Sequence, residues 1–167
     1  MSGDPWRWPW RRELLLGELR TGDEWLDLGC GRGRFLALAP NGVGVDPDPE
    51  AAGLRTEDGN LPLDHRSVDL VWCSEVIEHV ADPQALLFEA RRVLRPGGRL
   101  LLTTPAHPLL RRIAIAALRF DAHFDPLGEH LRFFTRASLA GALEATGFEV
   151  DRINTRHATL VARAVRP

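Results

Sequence analysis

The sequence predicts an α/β architecture: a doubly wound, mostly parallel seven-stranded sheet with helices on both faces and an antiparallel C-terminal hairpin. Three observations carry that prediction. Strand-like and helix-like segments alternate along most of the chain, the pattern of parallel strands joined by crossover helices. A glycine-rich loop, Gly29-Cys30-Gly31-Arg32-Gly33, directly follows the first strand-like segment. The last two strand-like segments are only a few residues apart, so they pair as a hairpin. No repeat, linker or low-complexity tract interrupts the 167 residues, and this length suits one domain over 1–167.

Taken in order, residues 9–20 carry Leu14, Leu15, Leu16 and Leu19 among Arg and Glu, which predicts an amphipathic helix ended by Thr21-Gly22-Asp23. Residues 25–28 form the first strand, and Phe35-Leu36-Ala37-Leu38 reads as helical beyond the glycine loop. Residues 43–46 form a second buried strand, stopped by Pro47-Asp48-Pro49. A weak extended piece lies at 54–56, a strand at 68–73 and a helix at 83–94. Arg95-Pro96-Gly97-Gly98 then turns into a strand at 99–103. Helices near 107–119 and 135–146 follow, the latter capped by Thr135 and Ser138. Strands near 148–154 and 158–165 complete the order.

Composition removes several classes. Lys+Arg number 21 against 23 Asp+Glu, a net charge of -2, whereas a nucleic-acid binder normally carries a basic excess. All the basic residues are arginine. Without lysine there is no Walker-A clamp and no Schiff-base or pyridoxal chemistry. Two cysteines, Cys30 and Cys73, inside patterned segments predict free thiols in a reducing compartment. The start lacks a signal-peptide layout, and the apolar stretch 113–118 is too short to span a bilayer. A cytoplasmic protein is expected.

In doubly wound sheets, ligands bind beyond the carboxyl ends of the strands. Gly29, Gly31 and Gly33 lie there, and glycine lets the main chain turn sharply and approach a ligand closely. Asp46 ends the second strand, where a carboxylate accepts hydrogen bonds from ribose hydroxyls. The loop alone is a weak signal; the loop with that acid is a stronger one. A nicotinamide dinucleotide site is the competing reading. Its G-x-G-x-x-G/A spacing wants a small residue where Arg34 stands, and the chain has no room for a second domain.

Three further strings sit in order downstream: Asp58-Gly59-Asn60-Leu61-Pro62, Ser74-Glu75-Val76-Ile77-Glu78-His79-Val80 and Leu94-Arg95-Pro96-Gly97-Gly98-Arg99-Leu100. Together with Leu26-Asp27-Leu28-Gly29-Cys30-Gly31-Arg32-Gly33 and Gly44-Val45-Asp46, they resemble the class I S-adenosylmethionine-dependent methyltransferases, from Trp25 to the end. The likeness is to the small-molecule branch typified by ubiquinone and menaquinone biosynthesis methyltransferases. It implies a Rossmann-like methyltransferase fold, with S-adenosylmethionine as cofactor and S-adenosylhomocysteine as product. It also implies that Asp27 and the backbone of Gly29, Cys30 and Gly31, with Gly33 in the same loop, hold the methionyl part. Asp46 takes the ribose, Asp58 the adenine amino group with Gly59 and Asn60 beside it, and Ser74 and Glu75 the floor under the methyl. The Asp58-Gly59 pair also reads as a simple turn. About eight residues separate Asp46 from the third strand, so the family's second helix must shrink to a turn, leaving the adenine end more open.

Methyl transfer from a sulfonium is an in-line displacement in which alignment does most of the work. A base is needed only where the acceptor must lose a proton. Glu75, Glu78, His79, His107 and His130 are the candidates, and Glu75, His79 and His130 form the expected catalytic set. If the turn is helical, Glu75, Glu78 and His79 share a face and make a general-base or divalent-metal site. The metal reading, which resembles the magnesium cluster of some ubiquinone-type O-methyltransferases, is the less favoured. Segment 105–134, with His123, Asp125, Glu129 and His130, lies on the expected substrate side and lacks the cysteine spacing of a zinc site. His130 reads either as a substrate-facing base or as a tie for that loop.

Leu109, Leu110, Ile113, Ala114, Ala117 and Leu118 make an apolar stripe for packing on the sheet or for a greasy acceptor pocket. Trp6, Trp8 and Trp10 among Arg7, Arg11 and Arg12 fit a lid formed by residues 1–22 or a peripheral membrane contact. Trp72-Cys73-Ser74-Glu75 stands where amino-methylating enzymes of nucleobases and glutamine carry Asn/Asp-Pro-Pro-aromatic, which argues against those acceptors. The expected function is methyl transfer to a small, apolar or phenolic acceptor, by a monomer or homodimer without a nucleic-acid partner. The alternative is a catalytically silent cofactor-binding scaffold acting with a partner subunit.

Overall fold

The computed structural model describes residues 8–56, 59–107, 117 and 131–167. Seven strands form one sheet: β1 (Trp25–Leu28), β2 (Gly42–Asp46), β3 (Leu54–Arg55), β4 (Val68–Ser74), β5 (Leu94–Pro105), β6 (Glu149–Arg156) and β7 (Thr159–Val165). Their order is β3-β2-β1-β4-β5-β7-β6. The first five run parallel, and β7 enters antiparallel between β5 and β6. The chain winds outward from β1 through β2 and β3, then returns to β4 on the other side of β1. The carboxyl ends of β1 and β4 are therefore the switch point where an open sheet forms a crevice.

Helices α2 (Pro83–Val93) and α3 (Arg136–Ala145) share a core with one face of the sheet. Asp82 caps α2 by accepting from the Ala85 N–H, Pro83 fills the first turn, and Leu87, Ala90 and Val93 point inward at three-residue spacing. Thr135 and Ser138 form the expected cap of α3, each side chain accepting from the other's main chain. Of the helix expected near 107–119, only His107 and Ala117 are among the described residues, and Ala117 is helical.

The opposite face departs from expectation. Phe35-Leu36-Ala37-Leu38 forms no α-helix but a single 3-10 turn (Leu36–Leu38). Eight residues between Gly33 and Gly42 cannot hold several helical turns and a return to the sheet. Residues 47–53 contain only bends and turns, as the short β2–β3 spacing required. Indole rings fill the space. Trp25 and Trp72 are fully buried, Phe35 meets Trp72 edge-on at 5.1 Å, and the Trp25 Nε1–H donates to the Pro40 carbonyl at 2.9 Å. A Cβ on Gly42 would lie 2.5 Å from the Trp25 ring, so the neighbouring strand must carry glycine there.

Helix α1 (Trp8–Glu18) covers the rest of this face through Trp10 and Leu15. Its C-terminal end is held by arginines of the sheet. Arg99 donates to the Glu18 carbonyl and pairs with Asp23, and Arg163 pairs with the Glu18 carboxylate. At the far edge, β6 and β7 join through His157 and Ala158, both at positive φ as a two-residue hairpin turn requires.

Candidate functional site

The glycine loop sits at the carboxyl end of β1, with Gly29, Gly31 and Gly33 all at positive φ. The Gly29 N–H donates to the Val45 carbonyl at 2.8 Å, which carries the chain over the end of β2. A Cβ on Gly29 would come within 2.3 Å of Val76 Cγ2, so the loop and the turn after β4 touch through a glycine. Asp46 closes β2: its Oδ2 accepts from the Gly31 N–H and its Oδ1 from the Asp48 N–H, each at 2.9 Å. Cys30 is buried in the same loop. Burial, then Asp27 and Asp46, raise its thiol to about 11, so it is a packed thiol and no nucleophile.

Asp27 is 1% exposed, and its Oδ2 has no hydrogen-bond donor among the described residues. By strand alternation it shares the α1 face with Trp25, in register with Gly44 and Trp72. Burial first, and then the Asp46 charge, push its carboxyl up to about 7. An uncompensated carboxylate under a glycine loop is costly unless a cation is meant to reach it.

Beyond β4 the chain reverses at Glu75, which takes φ +57, a left-handed conformation rare for a non-glycine residue. Its N–H donates to the Thr103 carbonyl at 2.9 Å. Ser74 Oγ lies 3.0 Å from Thr103 Oγ1, which donates to Glu75 Oε1 at 3.1 Å. Arg11 of α1 pairs through Nη2 with the same Oε1 at 2.9 Å, and among the described residues neither its Nε nor its Nη2, both buried, has a well-aligned acceptor. Arg156 lies over the Trp10 ring, and His157 meets it, so α1 is seated between the hairpin turn and Glu75.

Glu78 goes elsewhere. It is 1% exposed and accepts from Thr104 Oγ1 at 3.0 Å. Thr103 and Thr104 are consecutive in β5 and point to opposite faces of the sheet, so the shared face expected of Glu75 and Glu78 is corrected. The positive φ at Glu75 prevents the helical turn that sharing would need. Burial, then Glu75, raise the Glu78 carboxyl to about 7. Half-buried His79 stands 3.9 Å from the Glu78 carboxylate. Among the described residues no three His, Cys, Asp or Glu side chains gather as metal ligands.

Gly59 and Asn60 lie in the exposed loop after β3, where the Asn60 carbonyl accepts from Thr56 Oγ1 at 2.7 Å. Asp58 and His130 lie outside the described residues. The structure thus brings Asp27, Gly29, Cys30, Gly31, Gly33 and Asp46 together at one end of the crevice, and Ser74 and Glu75 at β4 beside it. Arg11, Thr103 and Thr104 went unread in the sequence as site residues. Two threonines ending an otherwise leucine-rich strand were a usable signal for the latter pair; no local signal marks Arg11.

Residues 7–153 match a family model described as a methyltransferase domain. The chain belongs to the class I S-adenosylmethionine-dependent methyltransferases, in the small-molecule branch. A ubiquinone biosynthesis O-methyltransferase of Xanthomonas axonopodis pv. citri is 29% identical over 170 residues, covering 87% of this chain and 71% of that protein. A "Probable S-adenosylmethionine-dependent methyltransferase" of Mycolicibacterium smegmatis is 34% identical over 162 residues, covering 86% of this chain but 60% of that one. The chain therefore spans well under the full length of the relatives it matches. A chain from the complex of the Haloferax volcanii Trm112 methyltransferase activator with a methyltransferase superposes with TM-score 0.76 over 93% of this chain and 87% of that one. At 21% identity that likeness shows the methyltransferase fold. Among the described residues no helix is long and apolar enough to cross a membrane.

Proposed function

We propose that this chain transfers a methyl group from S-adenosylmethionine to a small, apolar or phenolic acceptor by in-line displacement. The single observation that carries the reading is Asp27: a buried carboxylate oxygen without a donor among the described residues, under the glycine loop and beside Asp46. That position suits the α-ammonium of the cofactor, with the main chain of Gly29, Cys30 and Gly31 packed against the methionyl part. Asp46, already oriented by two N–H groups, receives the ribose hydroxyls. Asp58, Gly59 and Asn60 line the adenine side, and the poorly matched guanidinium of Arg11 suits the methionyl carboxylate. When bound, S-adenosylmethionine supplies a sulfonium methyl open to a nucleophile.

The chain's own residues align and deprotonate the acceptor. Glu75 is tied at Oε1 by Thr103 and Arg11, and its Oε2, which has no such tie among the described residues, takes a proton from an acceptor hydroxyl. His79 and His130 are the further bases of this set. Helix α1, within residues 1–22, acts as the lid, and segment 105–134 as the acceptor side. A divalent metal is the less favoured reading, because Glu75 and Glu78 bond to threonines on opposite faces of β5. The two reduced cysteines fit work in the cytoplasm.

A second reading, a silent scaffold completed by a partner subunit, draws on the Trm112-associated neighbour and on the thin helical cover of the α1 face. Calorimetric titration with S-adenosylmethionine, S-adenosylhomocysteine and a nicotinamide dinucleotide tests the site. Binding of the first two alone, lost in Asp46→Ala, supports it; no binding removes it. Turnover of the isolated chain on hydroxylated aromatic acceptors, read as S-adenosylhomocysteine release, then separates enzyme from scaffold.

A further inference from the structure

The twelve residues 56–67 that join β3 to β4 include Gly59 and Asn60, yet the described part contains no helix and no strand segment. Its main chain nonetheless enters the core, since Leu61 is 5% exposed and packs among residues of the α2 face. Buried peptide groups need partners, and among the described residues no strand of the sheet pairs with Leu61 or Leu63. Two side chains of α2 do so. The Leu61 N–H donates to Glu89 Oε2 at 2.8 Å. Arg92 donates from Nη2 to the Leu61 carbonyl at 2.9 Å and from Nη1 to the Leu63 carbonyl at 2.8 Å. Glu89 and Arg92 are one turn apart and bonded to each other through Nε at 2.7 Å and Nη2 at 2.8 Å. The pair thus offers an acceptor and two donors in fixed register, as an adjacent strand would.

The platform beneath is rigid: Leu87, Ala90 and Val93, on the inner side of the same turns, are at most 1% exposed. The last turn of α2 also receives the far end of the loop, with the Arg66 N–H on the Arg92 carbonyl and the Ser67 N–H on that of Val93. On the near side, Thr56 holds the Asn60 carbonyl. Gly59 and Asn60 are therefore suspended between Thr56 and a peptide that Glu89 and Arg92 fix.

We propose that Glu89 and Arg92 are positioning residues for the adenine side of the cofactor site, acting through the main chain of residues 61–63. The inference rests on the methyltransferase reading above. Lysine cannot replace Arg92, because one ammonium does not reach two carbonyls and a carboxylate in a planar fork. Glutamine at 89 keeps an acceptor for Leu61 but loses the charge that holds Arg92.

The test compares calorimetric affinities for S-adenosylhomocysteine and for S-ribosylhomocysteine, which keeps the homocysteine and ribose but lacks the base. In Arg92→Lys, S-adenosylhomocysteine binding weakens about tenfold while S-ribosylhomocysteine binding is unchanged; Glu89→Gln shows a smaller loss with the same selectivity. Thermal midpoints are read alongside, and should Arg92→Lys fail to fold, the selectivity of Glu89→Gln decides. Equal losses for both ligands mean a folding role alone and overturn the inference, as does no loss for either. If the wild-type chain binds S-ribosylhomocysteine but gains nothing from the base, the inference falls and the methyltransferase reading stands. If it binds neither ligand, both fall.

Discussion

Asp27 makes cofactor binding dependent on pH in a way that can be worked from the structure. Its carboxyl is raised from 3.8 to about 7, by burial first and by Asp46 second. A raised acid holds its proton more firmly in the folded chain than in the unfolded one. Its contribution to stability is therefore complete below about pH 3.8 and is lost as pH rises towards 7, a change of about 4 kcal/mol for some three pH units. A ligand ammonium at Oδ2 needs the ionised form. At pH 6 about nine-tenths of the sites are protonated, so binding releases close to one proton and affinity falls about tenfold per pH unit below 7. Calorimetry with S-adenosylhomocysteine from pH 5.5 to 7.5, in two buffers of different ionisation heat, measures both affinity and proton release. Asp27→Asn removes the proton release and the slope, binds more weakly at pH 7.5, and melts at a higher temperature than wild type there without ligand. A flat wild-type profile, or a slope that survives in Asp27→Asn, refutes the assignment of the cation site to this carboxylate.

Three further outcomes are expected. Gly29→Ala places a methyl 2.3 Å from Val76 Cγ2 at a positive φ, and both cofactor affinity by calorimetry and thermal midpoint should drop. Trp25→Ala empties the space left by the short β1–β2 crossover and should cost about 3–5 kcal/mol in denaturant unfolding. Glu75→Gln should lower turnover of a hydroxyl acceptor by about a hundredfold with little change in cofactor affinity, and a chelator should leave wild-type turnover intact. Turnover abolished by chelation would show that Glu75, Glu78 and His79 rearrange into a metal site on binding.

The alternation of segments determined the parallel sheet, and the short spacing before residue 158 determined the terminal hairpin, because period and loop length are local properties. Thr135-x-x-Ser138 announced its helix for the same reason: a cap needs only residues three apart. The glycine loop and Asp46 were equally legible, since both lie where strands end. Tertiary structure decided the rest. Phe35-Leu36-Ala37-Leu38 has helical composition, but the eight residues between Gly33 and Gly42 permit one 3-10 turn, and Trp25 and Trp72 fill the gap from β1 and β4. Glu75-x-x-Glu78-His79 looked like one face until a left-handed Glu75 sent its two carboxylates to threonines on opposite sides of β5. Arg11 meets Glu75 across 64 positions, and Glu89 and Arg92 meet Leu61 across roughly thirty, because packing brings distant peptide groups and charges to each other. Local sequence thus specified where ligand-facing groups begin, and burial specified which stand unpaired among the described residues, above all Oδ2 of Asp27.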